Sequence, residues 1–210
     1  NIKCRLSTEY PFRGSLKYTV KTDSPVKFSL FIRIPSFAKS AKIDGKDVKC
    51  GEFAEISKCW DGEAEIDVDL SFETEIVKRP ENMVCVRRGP LFYSIPVKEK
   101  RERAEYVKDG VERKYPYCDY YIYPESKWNY ALADEGLEFS EHEFDAPFNP
   151  ENPPVSLMAD VVEIDWKFNC GHCDRLPTST SPLGSIQKVQ LIPYGCTNLR
   201  MTEIPFVQKD

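Results

Sequence analysis

The chain has 210 residues, a formal net charge of −5 at pH 7 and 41% hydrophobic residues, with a pI near 5.3; it lacks the basic face that phosphate backbones require, so no nucleic-acid partner is expected. The apolar fraction suffices for a sizeable core, in one large β domain or two small sandwiches. No run of roughly 18 apolar residues offers a membrane span, and the N-terminal residues lack the basic, apolar and small-residue order of a signal peptide, so no membrane partner is expected either.

Asn1 opens the chain without a methionine and Ile2-Lys3-Cys4-Arg5-Leu6 alternates from the start, which reads as a fragment of something longer. Period-two alternation then governs the first half. Leu16, Tyr18 and Val20 share one strand face, and Val26, Phe28, Leu30, Ile32 and Ile34 share another, with a turn at Thr22-Asp23-Ser24-Pro25 between them. Asp44-Gly45 suits a tight hairpin turn with positive φ. Ala64, Ile66, Val68 and Leu70 alternate with Glu63, Glu65, Asp67 and Asp69, one face for the core and one for water. Further strands near 73–77, 83–88 and 91–96 bring the total to about nine in the first 97 residues, the spacing of an antiparallel sandwich.

The run 98–116, dense in Lys, Arg and Glu, reads as a charged linker or surface loop. Beyond it the pattern is less regular: an aromatic strand from Tyr117 to Tyr123, a Pro-rich loop from Pro147 to Pro154, a strand from Val155 to Trp166, a polar loop from Pro177 to Pro182 and two closing strands near 186–194 and 198–206. Sustained helical periodicity is absent. The expected fold is all-β, with antiparallel β-sandwiches: one over 1–97, a linker over 98–116, and a second sandwich-like domain over 117–210.

Few residues suggest chemistry. Cys170-Gly171-His172-Cys173 has two thiols at a spacing that can close on a metal or exchange a disulfide, but the flanking strand and Pro-rich loop fit neither a zinc set nor a redox helix. Cys170, His172 and Cys173 are therefore weak metal candidates. The eight scattered cysteines read as mostly free thiols that suit a reducing compartment such as the cytoplasm, the alternative being an exported protein with a few disulfides. Glu63, Glu65, Asp67 and Asp69 lie on one face of one strand, whereas a glycosidase acid and base must flank the bond. Glu141-His142-Glu143 reads as a loop. Among the aromatics, Tyr120, Tyr123, Trp128 and Tyr130 are candidates for stacking on a sugar, against the ordinary alternative of buried packing. No catalytic or cofactor-binding residue is assigned.

Four ordered motifs resemble one family: Tyr10-Pro11-Phe12 with Gly14; Phe28-Ser29-Leu30-Phe31-Ile32-Arg33-Ile34-Pro35; Arg88-Gly89-Pro90-Leu91-Phe92-Tyr93; and Leu191-Ile192-Pro193-Tyr194-Gly195-Cys196-Thr197-Asn198-Leu199-Arg200, preceded by Trp128-Asn129-Tyr130-Ala131-Leu132. Together they resemble the C-terminal β-sandwich region of glycoside hydrolase family 127, the β-L-arabinofuranosidase-like proteins also grouped as domain of unknown function 1680. The resemblance implies that catalysis belongs to a preceding α/α barrel, with a cysteine nucleophile and other thiolates on zinc and a glutamate acid. Adjacent cysteines are absent here, so no catalytic or zinc residue carries over. The chain is expected to be a non-catalytic accessory region of a glycoside hydrolase, partnered by the barrel of the same polypeptide and exposing an apolar or aromatic docking patch. The alternative is a carbohydrate-binding module using exposed Tyr and Trp rings.

Overall fold

The computed structural model describes residues 1–169 and 171–208. Among the described residues, strands dominate; the helical content is two single 3-10 turns, at 80–82 and 194–196. The all-β expectation holds. The chain divides into two compact units, Asn1–Glu75 with Arg87–Leu91, and Ile76–Val86 with Phe92–Asp210.

The first unit contains β1 (Ile2–Thr8), β2 (Ser15–Thr22), β3 (Val26–Arg33), β4 (Ser40–Ile43), β5 (Lys46–Val48), β6 (Phe53–Trp60) and β7 (Glu63–Ser71). A five-stranded antiparallel sheet runs β1-β2-β7-β4-β5, and β3 pairs with β6 in a separate ribbon. Side chains of even-numbered residues on β2, β3 and β7 point to one core, where Val20, Ile32, Ile34, Trp60, Ile66 and Val68 are nearly inaccessible and Leu16, Tyr18, Phe28 and Leu30 pack around them. Each such burial contributes roughly 1.5–3 kcal/mol. Trp60 stacks on Phe28 at 5.0 Å and donates its indole N–H to the Phe28 carbonyl at 2.9 Å, so this buried donor is satisfied. The β4–β5 turn has φ of 48° at Asp44 and 75° at Gly45, the primed geometry that an Asp-Gly pair allows. Gly14 permits a close approach: a Cβ there would lie 1.9 Å from the Leu70 carbonyl oxygen.

Next come β8 (Thr74–Lys78), β9 (Met83–Arg88) and β10 (Leu91–Pro96). The expected strand, Gly-Pro break and strand is present, with Gly89 at φ 54°. Its place differs from the expected domain over 1–97, because only Arg87–Leu91 of this hairpin belongs to the first unit. The reason is long-range pairing: Tyr93 and Ser94 of β10 lie opposite Pro193 and Ile192, and Val84 of β9 opposite Ile204. Local alternation carries no information about such partners.

The charged run is not a linker. It forms β11 (Glu99–Ala104), β12 (Tyr106–Lys108) and β13 (Val111–Arg113), and β11 pairs with β14 (Asp119–Pro124) in register from Glu99 opposite Pro124 to Ala104 opposite Asp119. Cross-strand pairs and ion pairs hold it: Arg101 meets Glu99 at 2.5 Å and Arg103 lies 4.7 Å over the Tyr115 ring. A ribbon wet on both faces can carry charge at every position.

The remaining strands are β15 (Tyr130–Glu141), β16 (Val155–Glu163), β17 (Phe168–Asn169), β18 (His172–Cys173), β19 (Gln187–Pro193), β20 (Arg200–Met201) and β21 (Ile204–Pro205). A sheet runs β15-β16-β19-β10-β9-β21, and a parallel bridge between Leu132 and Phe206 brings its two ends together. The second unit is thus built on one nearly closed, barrel-like sheet rather than two facing sheets. Its wall is buried on both sides along β16, where Val155, Leu157, Ala159, Val161 and Val162 are inaccessible or nearly so.

Candidate functional site

Strand alternation decides the aromatic candidates first. Tyr120 and Tyr123 lie three residues apart on β14, so their rings leave opposite faces of the ribbon; Tyr120 stands opposite Arg103 and Tyr123 opposite Lys100. They cannot form one platform. Tyr130 is a correction to the stacking set: at 7% exposure it is a core residue, and burial raises its phenol pKa above the usual value, with Lys127 opposing and Glu163 adding to the shift. It begins a run, Tyr130-Ala131-Leu132, that is buried on both faces of the closed sheet.

Trp128 is the aromatic candidate that lines a concavity. Its neighbours are clamped to the end of β16: Asn129 donates from its side chain to the Ile164 carbonyl at 2.8 Å and accepts from the Ile164 N–H at 2.9 Å, while Lys127 pairs with Glu163. The Lys127 hydrogen bond holds the Glu163 carboxyl below its ordinary pKa. The Trp128 ring meets Trp166 edge-on at 5.9 Å and Phe168 at 6.3 Å. Trp166 in turn donates its indole N–H to the Asp174 carbonyl at 2.6 Å.

The ribbon of β17 and β18 brings His172 and Cys173 to the same place, with Phe168 opposite Cys173 and Asn169 opposite His172. A pocket of about 250 Å³ results, with Trp128 and Phe168 in its wall, Ile122 from β14, and His172, Cys173 and Arg200 adding the polar atoms. Arg200 is positioned by its own turn: it donates to the carbonyls of Thr197 and Asn198, and its guanidinium lies 3.5 Å over the Tyr194 ring. Phe168 and Arg200 were not singled out from the sequence; the alternation Trp166-Lys167-Phe168 and the cation ending the Leu191–Arg200 motif are the signals that could have found them.

Among the described residues the lining holds no carboxylate pair of the kind that flanks a glycosidic bond in most glycosidases. Cys170 lies outside the described residues. Among those described, no group of three or more His, Cys, Asp or Glu side chains is placed to hold a metal, and Cys4, Cys50, Cys59, Cys118, Cys173 and Cys196 are free thiols. Glu63 and Glu65 are exposed and pair with Lys21 and Lys17, each at 3.2 Å, as expected of a solvated face. Glu141 ends β15, and His142 Nε2 hydrogen-bonds the Ser156 hydroxyl at 2.8 Å. No helix among the described residues is long and apolar enough to cross a membrane.

Comparison with known proteins finds a family model, described as the middle domain of GH127 beta-L-arabinofuranosidase, that matches residues 1–72. No curated protein matches the sequence. Among solved structures, a GH127 beta-L-arabinofuranosidase from Geobacillus stearothermophilus T6 is similar over 100% of this chain and 31% of its own, at 22% identity and a TM-score of 0.58. A structure described as a glycoside hydrolase is similar over 99% of this chain and 32% of its own, at 16% identity and a TM-score of 0.52. The chain thus spans about a third of the length of the structures it matches. Residues 1–72 match the GH127 middle domain, and the whole chain shares the fold of the corresponding part of a GH127 structure.

Proposed function

We infer that this chain is a non-catalytic accessory β region of a larger β-L-arabinofuranosidase-like glycoside hydrolase of family 127, the group also called domain of unknown function 1680. Its first unit would be the middle domain and the rest the C-terminal part, both supporting an α/α barrel of the same polypeptide that carries the chemistry and any zinc. The observation that carries this reading is the match of residues 1–72 to the middle-domain family model. The fold likeness, which takes in this whole chain but a third of the matched enzyme, points the same way. An exposed aromatic pair supports a docking role: Phe31 on β3 is 57% exposed and Phe53 on β6 is 64% exposed, both on the face opposite the core. Assaying the fragment beside its parent on an arabinofuranoside tests the reading; turnover by the parent alone is expected, and turnover by residues 1–210 alone would refute it.

A second reading is a carbohydrate-binding module. It is favoured by one observation, the concave setting of Trp128 beside Phe168, since an apolar sugar face packs on such rings. Titration with arabinose-containing oligosaccharides, followed by tryptophan fluorescence in the native protein and in Trp128→Ala, tests it. No change at about millimolar ligand, an affinity worth only about 4 kcal/mol, would rule it out.

A further inference from the structure

Strand β1 ends the five-stranded sheet, and three of its features agree on what belongs beside it. Among the described residues its one ladder partner is β2, with Ile2 opposite Thr22, Cys4 opposite Val20 and Leu6 opposite Tyr18. Asp23 donates its N–H to the Asn1 carbonyl, which makes the odd-numbered positions the hydrogen-bonded pairs of this antiparallel ladder. The N–H and C=O groups of Ile2, Cys4 and Leu6 therefore point to the free edge, a row of three donors and three acceptors.

The side chains of these same residues form the second feature. They lie on the face that carries Val20, which is 1% exposed, yet Ile2 remains 52% and Leu6 46% exposed. The core face of the sheet thus continues onto β1 without a cover.

The third feature is charge. On the opposite face the register aligns Lys21 with Glu63 and Lys17 with Asp67, and ion pairs join Lys21 to Glu63 and Lys17 to Glu65. The basic column of β2 is already matched to the acidic column of β7. Lys3 and Arg5 of β1 stand beside that basic column, opposite Lys21 and Thr19, and among the described residues neither meets a carboxylate of the acidic column, whose Glu63 and Glu65 pair with Lys21 and Lys17.

We propose that the free edge of β1 receives one further strand from a partner polypeptide, a segment that alternates apolar residues on the core side with acidic residues facing Lys3 and Arg5. Backbone groups supply the attachment, as in other strand additions, and the two side-chain rows set which segment is accepted. A second copy of this chain is a poor occupant: antiparallel β1 against β1, centred on Cys4, places Lys3 of each copy opposite Arg5 of the other, and like charges directly opposite are destabilising. The inference does not depend on the assignment to a hydrolase.

The test uses the whole chain and peptides of alternating Glu and Val, Lys and Val, or Glu and Ser, with binding read by fluorescence anisotropy and amide hydrogen exchange. The Glu-Val peptide is expected to bind at least about tenfold tighter than either of the others, to weaken severalfold as salt shortens the screening length from about 10 Å toward about 3 Å, and to slow exchange at the Ile2, Cys4 and Leu6 amides. In a variant carrying Lys3→Glu and Arg5→Glu, both exposed positions, the preference should reverse to the Lys-Val peptide. Equal binding of all three peptides, protection elsewhere than β1, or self-association through β1 in sedimentation would each overturn the proposal.

Discussion

Gly14→Ala isolates a steric requirement from a conformational one. Gly14 is not among the residues with positive φ, so alanine can adopt its backbone geometry. The added Cβ would nevertheless sit 1.9 Å from the Leu70 carbonyl oxygen and 2.9 Å from its carbonyl carbon, where ordinary contact needs about 3.5 Å. Backbone atoms cannot rotate away, so the segments must separate by more than about 1 Å, an overpacking cost of about 1–3 kcal/mol. That movement also strains the hydrogen bond from the Leu70 N–H to the Gly14 carbonyl, now 2.9 Å, at about 1 kcal/mol more. In a unit of this size each kcal/mol lowers Tm by about 4–8 °C, so a fall on the order of 10–20 °C is expected by calorimetry. Gly184→Ala is the control: nothing lies within 4 Å of its Cβ position and its φ is not positive, so its melting point should hold or rise slightly through the stiffer unfolded chain. If Gly14→Ala melts within about 2 °C of the native protein, an effect below about 0.5 kcal/mol, the close approach to Leu70 is not a constraint and the reasoning fails.

Gly89→Ala should destabilise for both reasons at once, since φ is 54° and the Cβ would lie 2.7 Å from the Phe72 ring; pairing it with Phe72→Leu should recover part of the loss in a urea double-mutant cycle. Trp60→Ala removes a core ring and leaves the Phe28 carbonyl without its donor, a loss of about 3–5 kcal/mol to be read from the urea midpoint. Burial pushes the Cys196 thiol from 9.0 up to about 11. Its folded form therefore holds the proton more tightly than its unfolded form, and the stability so contributed is complete below about pH 9 and is lost as pH rises toward about 11. Cys196→Ala should flatten the fall of unfolding free energy over that window, and an unchanged slope would show that other groups cause it.

The first unit was largely legible because its strands are amphipathic. Leu16, Tyr18 and Val20 alternate with lysines and threonine, and in the structure that row lines the core. Asp44-Gly45 was legible because few residues tolerate positive φ twice in succession. The second unit was harder, since β16 is buried on both faces and loses the alternation, while β17, β18, β20 and β21 are only two residues long and the last two exist through partners distant in sequence. Strand β15 was hidden by an irregularity between Leu132 and Leu137, where the Asp134 carboxylate accepts the Gly136 N–H at 2.7 Å. The charged ribbon failed for another reason: charge density reads as loop, although each charge of β11 stands opposite a tyrosine, isoleucine or proline of β14. At the pocket, Trp128, His172 and Cys173 were each visible as residue types. Their convergence depends on the Asn129–Ile164 link and on the β17–β18 ribbon, neither of which has a local signature.

The division of the Met83–Pro96 hairpin bears on how this region can be taken apart. Arg87–Leu91 counts with the first unit although the flanking residues count with the second, and Gly89 is the residue whose backbone lies against the Phe72 ring. A fragment truncated after residue 72, where the family match ends, would strip that ring of its cover and leave an aromatic surface to aggregate. The first unit is consequently not a cassette that recombination or cloning can lift out as one contiguous stretch. Any functional dissection, or any natural reshuffling of this module into a new protein, must carry the returning segment with it.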